Sequence, residues 1–404
     1  MTEVVNLPLV SIITPSYNHA AYIRDTIKSV LTQDYPNIEH IVVDGGSADG
    51  TVEILREYGE RYPNRFRWVS EPDKGQSDAF NKGLAMAHGE LIGWQNSDDI
   101  YLPNAVRVLV QAFDANPEAT VVYGSCYVLD QQGVVVGDTF AGPFVLASFL
   151  GHFSVPNQAA LIRRSALQGI GGLDVSLHFC MDWDLWLRLY QQQGRFVFIP
   201  TKLAGFRIYA DNKSTRLWST YWRDKRALLR HFNATASLSD EDVDATRRAL
   251  GEALIAAAVC DALENPNLSI VESIQEGLQL WPRAQEDVRL LAYTCLAAVV
   301  PIRSPLGRQM TRIIEAVSTV PHIPRTFTQT LLGYYFGSLA LAYGKKGRRR
   351  YMFAYALRAV MYDRKWAMQR REITVGLLRI MLGQHAQRAA LPLLRVARRV
   401  FAGR

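Results

Sequence analysis

Cysteine is scarce in this 404-residue chain, and no two cysteines form a CxxC pair. The four are Cys126, Cys180, Cys260 and Cys295. Such a sparse set argues against a disulfide scaffold and a cysteine-rich metal site, and it is typical of a reducing compartment. The first ten residues, MTEVVNLPLV, lack the basic segment and the long apolar run of a signal peptide. We therefore expect a cytoplasmic protein.

Charged side chains are missing from residues 139–162 and 326–344. Each stretch is long enough to raise the question of a membrane span. The first contains two prolines, an Asn-Gln pair and His152, and a broken backbone of that kind cannot face lipid. The second contains Thr, Gln, Ser and three glycines. We predict a loop with a core strand for the first stretch and a buried helix for the second.

Acidic residues are nearly absent from residues 345–404, which hold sixteen Lys or Arg against only Asp363 and Glu372. The whole chain has a net charge of +7, whereas this stretch alone carries +14. Its basic residues alternate with apolar and aromatic ones, a pattern typical of helices that rest on anionic membrane surfaces. A solvated basic helix face and nucleic-acid binding are the alternatives. Because no nucleic-acid motif accompanies the charges, we expect no nucleic-acid partner.

Strand and helix patterns alternate over the first hundred residues. Apolar runs of strand length cover residues 9–13, 40–44, 66–70 and 90–94, and helical patterns between them cover 21–31, 51–62 and 77–87. This alternation predicts βαβ units and a mainly parallel sheet with both faces covered.

The chain after residue 214 has helical periodicity and few strand signals. We therefore predict an α/β domain over residues 1–214 and a helical, basic C-terminal domain over residues 215–404. A tetratricopeptide-like helical hairpin is expected near residues 330–365, although no repeat of about 34 residues runs along the segment.

Turn-forming and acidic residues follow the predicted strands. Ligands gather beyond the carboxyl ends of strands in an open α/β sheet, so these residues should share one edge. Asp44 ends the second strand, and Asp98 and Asp99 follow the fourth. Paired carboxylates offer oxygen ligands to Mg²⁺ or Mn²⁺. Asp is also a common helix N-cap and Pro103 could open a helix, so the pair alone fits either role.

Several motifs together resemble the nucleotide-sugar-binding half of the family 2 inverting glycosyltransferases, which have the GT-A fold. The matching runs are SIITPSYN (11–18), VVDGGSADGT (42–51), EPDKGQSDAFNKGLA (71–85), NSDD (96–99), GGLDVSLHFCMDWDLWLRL (171–189) and FRIYADNKS (206–214). The resemblance covers about half of the chain. It implies transfer of a sugar from a nucleotide-diphosphate donor to an acceptor hydroxyl, with inversion. By the same analogy we expect a saccharide or lipid-linked acceptor, a role in surface-polysaccharide synthesis and a peripheral position at the inner face of the cell membrane.

The resemblance also assigns roles to single residues. Those expected to hold the nucleotide sugar are Pro15, Tyr17, Asp44, Asp73, Lys74, Asn96 and Arg207. The metal ligand is Asp98, with Asp99 beside it, and the metal is Mg²⁺ or Mn²⁺. Relatives often have an acid where this chain has Asn96, and a His where it has Tyr209. Simple turn formation is the alternative role for the loop residues.

Asp182 matches the family's general base, an Asp at the start of a helix. Met181 replaces the Glu that usually precedes it, and Asp184 is a rival candidate two residues away. Both acids could instead complement the helix dipole in the first turn. The weakest assignments are the acceptor contacts Asn157, Gln158 and Trp183.

A different class of protein is the second interpretation: a non-catalytic sugar-nucleotide-binding or scaffold protein with a helical adaptor tail. The departures at Asn96, Met181 and Tyr209 support it. The retained acids Asp44, Asp98 and Asp182 favour the enzyme.

Overall fold

The structure, a computed structural model, describes residues 7–139, 141–151, 155–209, 212–213, 218–265, 268–297 and 326–345, with shorter pieces between 313 and 323 and between 355 and 362. The chain divides into two compact units, residues 1–250 and 251–404. The first unit is α/β, and the described part of the second is helical. The predicted fold class is therefore confirmed.

The first unit begins with the predicted alternation of strands and helices. Its elements are β1 Val10–Ser16, α1 Ile23–Leu31, β2 Ile38–Asp44, α2 Thr51–Arg61, β3 Phe66–Ser70, α3 Gln76–Met86 and β4 Leu91–Trp94. Helix α1 shows why the pattern was informative. Its buried residues Ile23, Ile27 and Val30 recur at helical spacing, whereas Lys28 is exposed.

The rest of the first unit mixes short strands and helices. These are β5 Ile100–Tyr101, α4 Ala105–Ala115, β6 Val121–Leu129, β7 Val135–Asp138, α5 Leu146–Gly151, β8 Ala160–Arg163, α6 Arg164–Gly169, α7 Met181–Gln191, β9 Phe196–Arg207, α8 Trp218–Thr235 and the start of α9 Asp240–Glu264. The uncharged stretch 139–162 contains α5 and most of β8, in agreement with the predicted loop and core strand.

One mixed sheet organises these strands in the order β3-β2-β1-β4-β8-β6-β9-β5, with β7 paired to β6. Strands β1 to β4 are parallel neighbours, so their carboxyl ends lie at one edge. Strand β8 runs antiparallel to β4 and β6. Strand β9 ends beside β5, which brings its last residue, Arg207, to the loop after β4.

Apolar clusters lie against the sheet. Ile23, Ile27 and Leu55 pack with Val42 and Phe66 in one cluster. A larger cluster joins α4 to β1, β6 and β8 through side chains such as Leu109, Val122 and Leu161. These clusters fix the strands whose ends carry the candidate site.

The first unit extends past residue 214, the predicted domain boundary, to residue 250. Hydrogen bonds to two acids on the later helices explain the difference. Asp224 on α8 accepts from the Phe179 backbone N–H (2.9 Å), and Asp242 on α9 accepts from the Tyr190 hydroxyl (2.9 Å). Helical periodicity alone does not show to which domain a helix belongs.

The second unit contains α10 Val271–Leu280, α11 Pro282–Glu286, α12 Val288–Ala297 and α13 Phe327–Lys345. Helices α9 and α10 meet at two glycines: a Cβ on Gly251 would lie 2.6 Å from the Gly277 carbonyl oxygen. Helix α13 agrees with the helix predicted for residues 326–344.

Much of the suspected tetratricopeptide-like hairpin falls outside the described residues. Of its described side chains, Phe336 stacks on Tyr355 and Tyr362, with ring centroids 6.1 and 5.5 Å away. Within the parts of the chain that the structure describes, no helix is both long and apolar enough to cross a bilayer.

Candidate active site

The acidic loop, residues 95–99, follows β4 and contains one enclosed carboxylate. Asp99 is fully buried; its Oδ1 accepts from the Arg207 backbone N–H (2.8 Å) and its Oδ2 from Asn96 Nδ2 (2.9 Å). Burial, reinforced by the charge of Asp98, raises the pKa of Asp99. The structure therefore gives Asp99 the task of joining β9 to the loop, in place of the metal contact expected of it.

Asp98, beside it, is half-buried and keeps an open oxygen. Its Oδ2 accepts from the Tyr209 hydroxyl (2.9 Å), and no described residue donates a hydrogen bond to Oδ1. His19 completes the surroundings, with Nε2 3.4 Å from the Tyr209 hydroxyl and Nδ1 2.5 Å from Ser97 Oγ. The acid pair is not a helix cap, because α4 begins at Ala105 with Asn104 as its N-cap residue.

Arg207 is a positioning residue in this structure. Its buried guanidinium donates to the Asp98 carbonyl oxygen (2.9 Å) and the Gln131 carbonyl oxygen (3.0 Å), and it lies 3.4 Å from Asp25. Only 3% of the residue is exposed. In this structure the side chain holds the acidic loop in place, and the donor contact expected of Arg207 stays a prediction.

A hydrogen-bonded chain leads from the acidic loop to α7. Asn96 Oδ1 accepts from Gln76 Nε2 (2.8 Å), and Gln76 Oε1 accepts from Lys213 Nζ (3.0 Å). The Lys213 ammonium also lies 4.0 Å from Met181 Sδ. Burial lowers the pKa of Lys213, and the nearby Asp182 charge opposes that shift. A half-buried ammonium with one oxygen partner among the described residues is prepared to receive an anion.

Asp182, the candidate base, is the second residue of α7. Its Oδ1 accepts from the Trp183 backbone N–H (2.9 Å), and Oδ2 receives no hydrogen bond from another described residue. Burial raises the pKa of Asp182 to about 6, against opposing contributions from backbone N–H groups and Lys213. A carboxylate with that pKa is ionised at neutral pH and still basic enough to accept a proton.

Asp184, the rival, is enclosed. Its carboxylate is paired with Arg188 one turn later at 2.5 Å. Arg188 in turn donates to the carbonyl oxygens of Ile170 and Gly172, both at 2.8 Å. Asp184 therefore fastens the loop before α7, which leaves Asp182 as the acid available for proton transfer.

Asp44 at the end of β2 likewise uses both carboxylate oxygens in hydrogen bonds within the protein. It is fully buried, and its two oxygens accept from the backbone N–H groups of Gly46 and Ser47 and from the hydroxyls of Ser47 and Ser70. The nucleoside contact expected of it is therefore not open in this structure. Pro15 is buried in β1, opposite Val43, and supports the same sheet edge from within.

The accessible groups at this edge are Tyr17, Asp73 and Lys74. Tyr17 is 61% exposed immediately after β1. Asp73 Oδ1 accepts from the Gly75 backbone N–H (2.7 Å), and the exposed Lys74 anchors its own backbone N–H on Asp78 (3.1 Å). Their accessibility is compatible with the nucleotide contacts expected of them, which stay a prediction.

The three expected acceptor contacts differ in accessibility. Gln158 is 4% exposed, so it cannot meet an acceptor in this structure. Asn157 is half-buried, with Nδ2 3.4 Å from the Trp94 carbonyl oxygen at the end of β4. Trp183 is half-buried between Phe149, at 4.6 Å, and Lys225, whose Nζ lies 4.9 Å from its ring centroid. An acceptor role for Asn157 and Trp183 stays a prediction.

A divalent metal fits this site only with help from a substrate. Across the described residues, no three His, Cys, Asp or Glu side chains form a ready metal cluster. Mg²⁺, however, commonly binds through one or two carboxylates plus substrate phosphates and water. The open Oδ1 of Asp98 meets that requirement, whereas the neutral Asn96 and the enclosed Asp99 do not.

Gln76 and His19 were missed when single residues were assigned roles. Gln76 lies inside the matching run 71–85, but an amide at a helix start gives no chemical signal on its own. His19 follows the run 11–18, and only the fold brings it to Ser97, 78 positions later.

Comparisons with known proteins identify relatives among the glycosyltransferases. The family description "Glycosyl transferase family 2" matches residues 11–167. An uncharacterized glycosyltransferase of Mycobacterium tuberculosis is 38% identical over 189 residues, 45% of this chain and 68% of that protein. Chondroitin synthase of Escherichia coli is 29% identical over 210 residues, 52% of this chain and 30% of that protein.

Solved structures show a similar fold. S. aureus TarS 1–349 in complex with UDP-GlcNAc has a TM-score of 0.57 at 16% identity, covering 81% of this chain and 92% of that one. At that identity the likeness concerns the fold alone. The expected GT-A-like architecture is confirmed by this similarity together with the sheet described above.

Proposed function

Because the chain belongs to glycosyltransferase family 2, we propose that it transfers a sugar from a nucleotide-diphosphate donor to an acceptor hydroxyl with inversion. One observation carries the proposal: hydrogen bonds lead from the Asp99 carboxylate, next to Asp98, through Asn96 and Gln76 to Lys213, whose ammonium interacts electrostatically with Asp182. The fold neighbour TarS was solved with UDP-GlcNAc, which supports a nucleotide sugar as the donor.

Asp182 acts as the general base. The acceptor hydroxyl oxygen attacks the anomeric carbon, its proton passes to Asp182 Oδ2, and the bond from that carbon to the diphosphate oxygen breaks. A single displacement of this kind inverts the anomeric configuration. Trp183 and Asn157 lie beside the path of the acceptor, and the Trp183 backbone N–H keeps Asp182 oriented.

Lys213 and Asp98 act at the leaving group. The diphosphate departs with the electron pair of the broken bond, and the Lys213 ammonium stabilises its charge as a fixed cation. Asp98 would hold the metal, Mg²⁺ or Mn²⁺, which when bound would supply Lewis-acid neutralisation of the diphosphate. Lys74 reaches the phosphates from the outer side of the cleft.

The basic residues of 345–404 support a position at an anionic membrane surface. At that surface the enzyme would encounter a saccharide or lipid-linked acceptor for a surface polysaccharide. Co-sedimentation of the full chain with vesicles tests this proposal: binding to phosphatidylserine-containing vesicles should exceed binding to pure phosphatidylcholine and should fall with salt. Equal binding to both would contradict it.

Donor hydrolysis and transfer test the enzyme proposal. The full chain is incubated with UDP-, dTDP- and GDP-sugars with and without Mn²⁺, and release of the nucleoside diphosphate is followed. We expect release from at least one donor, faster with metal, and a product anomer opposite to that of the donor. A product that retains the donor configuration would contradict the single displacement through Asp182.

A further inference from the structure

The Asp98 carboxylate is held at one of its two oxygens by a residue that follows β9. The Tyr209 hydroxyl lies 2.9 Å from Asp98 Oδ2. His19 Nε2 also lies near this hydroxyl, at 3.4 Å. The shorter distance and the negative charge both favour donation to the carboxylate. Oδ2 is therefore engaged, whereas Oδ1 accepts no hydrogen bond from any described residue.

The Tyr209 hydroxyl is kept in place by the packing of its ring. The ring lies against Tyr22, with centroids 4.8 Å apart and planes inclined by 35°. The Arg207 guanidinium lies over the same Tyr22 ring, 5.1 Å from its centroid, and donates to the Asp98 carbonyl oxygen at 2.9 Å. Arg207 thus holds the backbone of Asp98 while Tyr209 holds its side chain. We call Tyr22, Arg207 and Tyr209 the Asp98 clamp.

A carboxylate with one engaged oxygen offers a cation only the other oxygen. Ca²⁺ takes about six to eight oxygen ligands and often binds a carboxylate through both oxygens, whereas the smaller Mg²⁺ is content with single carboxylate oxygens, water and phosphates. The acidic loop supplies no second charged oxygen, because Asn96 is neutral and both Asp99 oxygens accept hydrogen bonds from the protein. The state of Asp98 Oδ2 therefore decides how many protein oxygens a cation can find here.

We propose that Tyr209 determines the metal specificity of the site: by engaging Asp98 Oδ2, its hydroxyl restricts the carboxylate to binding through Oδ1, which favours Mg²⁺ or Mn²⁺ over Ca²⁺. The inference rests on the proposed function, because that proposal places the metal at Asp98. Tyr209 acts through Asp98 and is a positioning residue. Removing its hydroxyl should release Oδ2 and let Asp98 bind a larger cation through both oxygens.

Competition between cations tests the selection. Binding of Mn²⁺ to the full chain is followed by electron paramagnetic resonance in separate titrations with UDP, dTDP and GDP, and Ca²⁺ or Mg²⁺ is then added to displace it. For the wild-type chain we expect Ca²⁺ to displace Mn²⁺ at least about tenfold less effectively than Mg²⁺ does. Tyr209→Phe keeps the ring and removes only the hydroxyl, so the effectiveness of Ca²⁺ relative to Mg²⁺ should rise about tenfold.

Tyr22→Phe is the matched control. It removes the hydroxyl from the other ring of the same stack, and no described residue forms a hydrogen bond with that hydroxyl. Its relative effectiveness of Ca²⁺ and Mg²⁺ should equal that of the wild-type chain. Each comparison uses two cations on one protein, so a loss of folded protein does not change it. The nucleotide's own preference for either cation is the same in every sample.

A second measurement does not depend on the Tyr209 variant. A carboxylate bound through one oxygen separates its antisymmetric and symmetric C–O stretching frequencies more widely than one bound through both. Infrared difference spectra with and without Mn²⁺ are recorded on nucleotide-bound chain labelled with ¹³C in its aspartate carboxyl groups, and Asp98→Asn identifies the Asp98 bands by their loss. We expect the wide separation, and the narrow one would overturn the proposal.

Failure of this inference and failure of the proposed function give different results. If the wild-type chain binds Mn²⁺ but responds equally to Ca²⁺ and Mg²⁺, or if Tyr209→Phe leaves their relative effectiveness unchanged, Tyr209 does not select the metal, although the transferase proposal stands. If the wild-type chain binds no Mn²⁺ with any of the three nucleotides, the metal proposed at Asp98 fails and this inference fails with it.

Discussion

The acid pair after β4 and the acid pair at the start of α7 are built alike. In each, one carboxylate is enclosed by an arginine: Asp99 by the backbone of Arg207, and Asp184 by the side chain of Arg188. Each arginine also donates to two backbone carbonyl oxygens, those of Asp98 and Gln131 for Arg207 and those of Ile170 and Gly172 for Arg188. The other carboxylate of each pair keeps an open oxygen. Each pair of acids therefore contains one carboxylate with a structural role and one that is available for chemistry, although the two are close in sequence.

The two open acids differ in their surroundings. Asp98 accepts from the Tyr209 hydroxyl and lies among polar groups, which suits a carboxylate that stays charged and holds a cation. Burial raises the pKa of Asp182 to about 6, which suits a group that must take up a proton. The different surroundings of Asp98 and Asp182 thus suit them to metal binding and to proton transfer, respectively.

The largest expected effect is that of Asp182→Asn. The amide keeps the shape but cannot accept the acceptor's proton, so kcat should fall about 10³-fold or more, while donor binding stays within about twofold. Steady-state kinetics and donor calorimetry on the same preparation measure both. Asp184→Asn is the matched variant; in fractions that remain folded, its kcat should stay within about tenfold of wild type. Equal losses of kcat would remove the distinction between the two acids.

Lys213→Met should have the next largest effect. Methionine retains the apolar length of the side chain and removes the charge that stabilises the leaving diphosphate, so kcat should fall about 10²-fold. Lys28→Met, on the exposed face of α1, removes a charge without touching the cleft and should change nothing. Partial rescue by Lys213→Arg would support a charge role, and full activity in Lys213→Met would exclude it.

The pH profile of kcat/KM should show a single-proton acid limb with a pKa of about 6. Below that pH Asp182 is protonated and cannot act as a base, so the rate falls about tenfold per pH unit. Above it the carboxylate is ionised and the rate reaches a plateau. A flat profile between pH 5 and pH 7 would contradict the assignment.

A smaller effect, the loss of stability at acidic pH caused by His40, can be distinguished from the acid limb of the activity profile. Burial lowers the pKa of His40 to about 3, whereas the unfolded chain takes up the proton near pH 6.5. Neutral His40 therefore does not lower the free energy of unfolding above about pH 6.5. Below that pH the free energy of unfolding falls, by about 2 kcal/mol at pH 5. In His40→Gln, denaturant unfolding at pH 7 and pH 5 should show less of this loss, while the acid limb of activity stays in place.

Much of the fold was readable from the sequence because local signals agreed with the tertiary structure. The apolar runs that became β1 to β4 each end in turn chemistry, and α1 to α3 keep their helical spacing. The site was only partly readable. A carboxylate in the sequence does not reveal its partners: Asp44 accepts from Ser70, 26 positions away at the end of β3, and Asp99 accepts from Arg207, 108 positions away at the end of β9. The burial of Arg207 was unreadable for the same reason, since it arises only when β9 pairs with β5.

The most direct test of the account is a thermal unfolding series on four isosteric variants, Asp98→Asn, Asp99→Asn, Asp182→Asn and Asp184→Asn. At pH 7, Asp99→Asn and Asp184→Asn should each lower the unfolding temperature by at least about 4 °C. In Asp99→Asn the amide has only one acceptor oxygen for the two donors that Asp99 satisfies, and in Asp184→Asn the Arg188 guanidinium loses its counter-charge. Asp98→Asn should leave the unfolding temperature unchanged. Asp182→Asn should raise it by a few degrees, because an ionised buried carboxylate destabilises the fold above its raised pKa. An Asp182→Asn protein that loses as much stability as Asp184→Asn would show that Asp182 is also a structural acid, and the assignment of the base would fail.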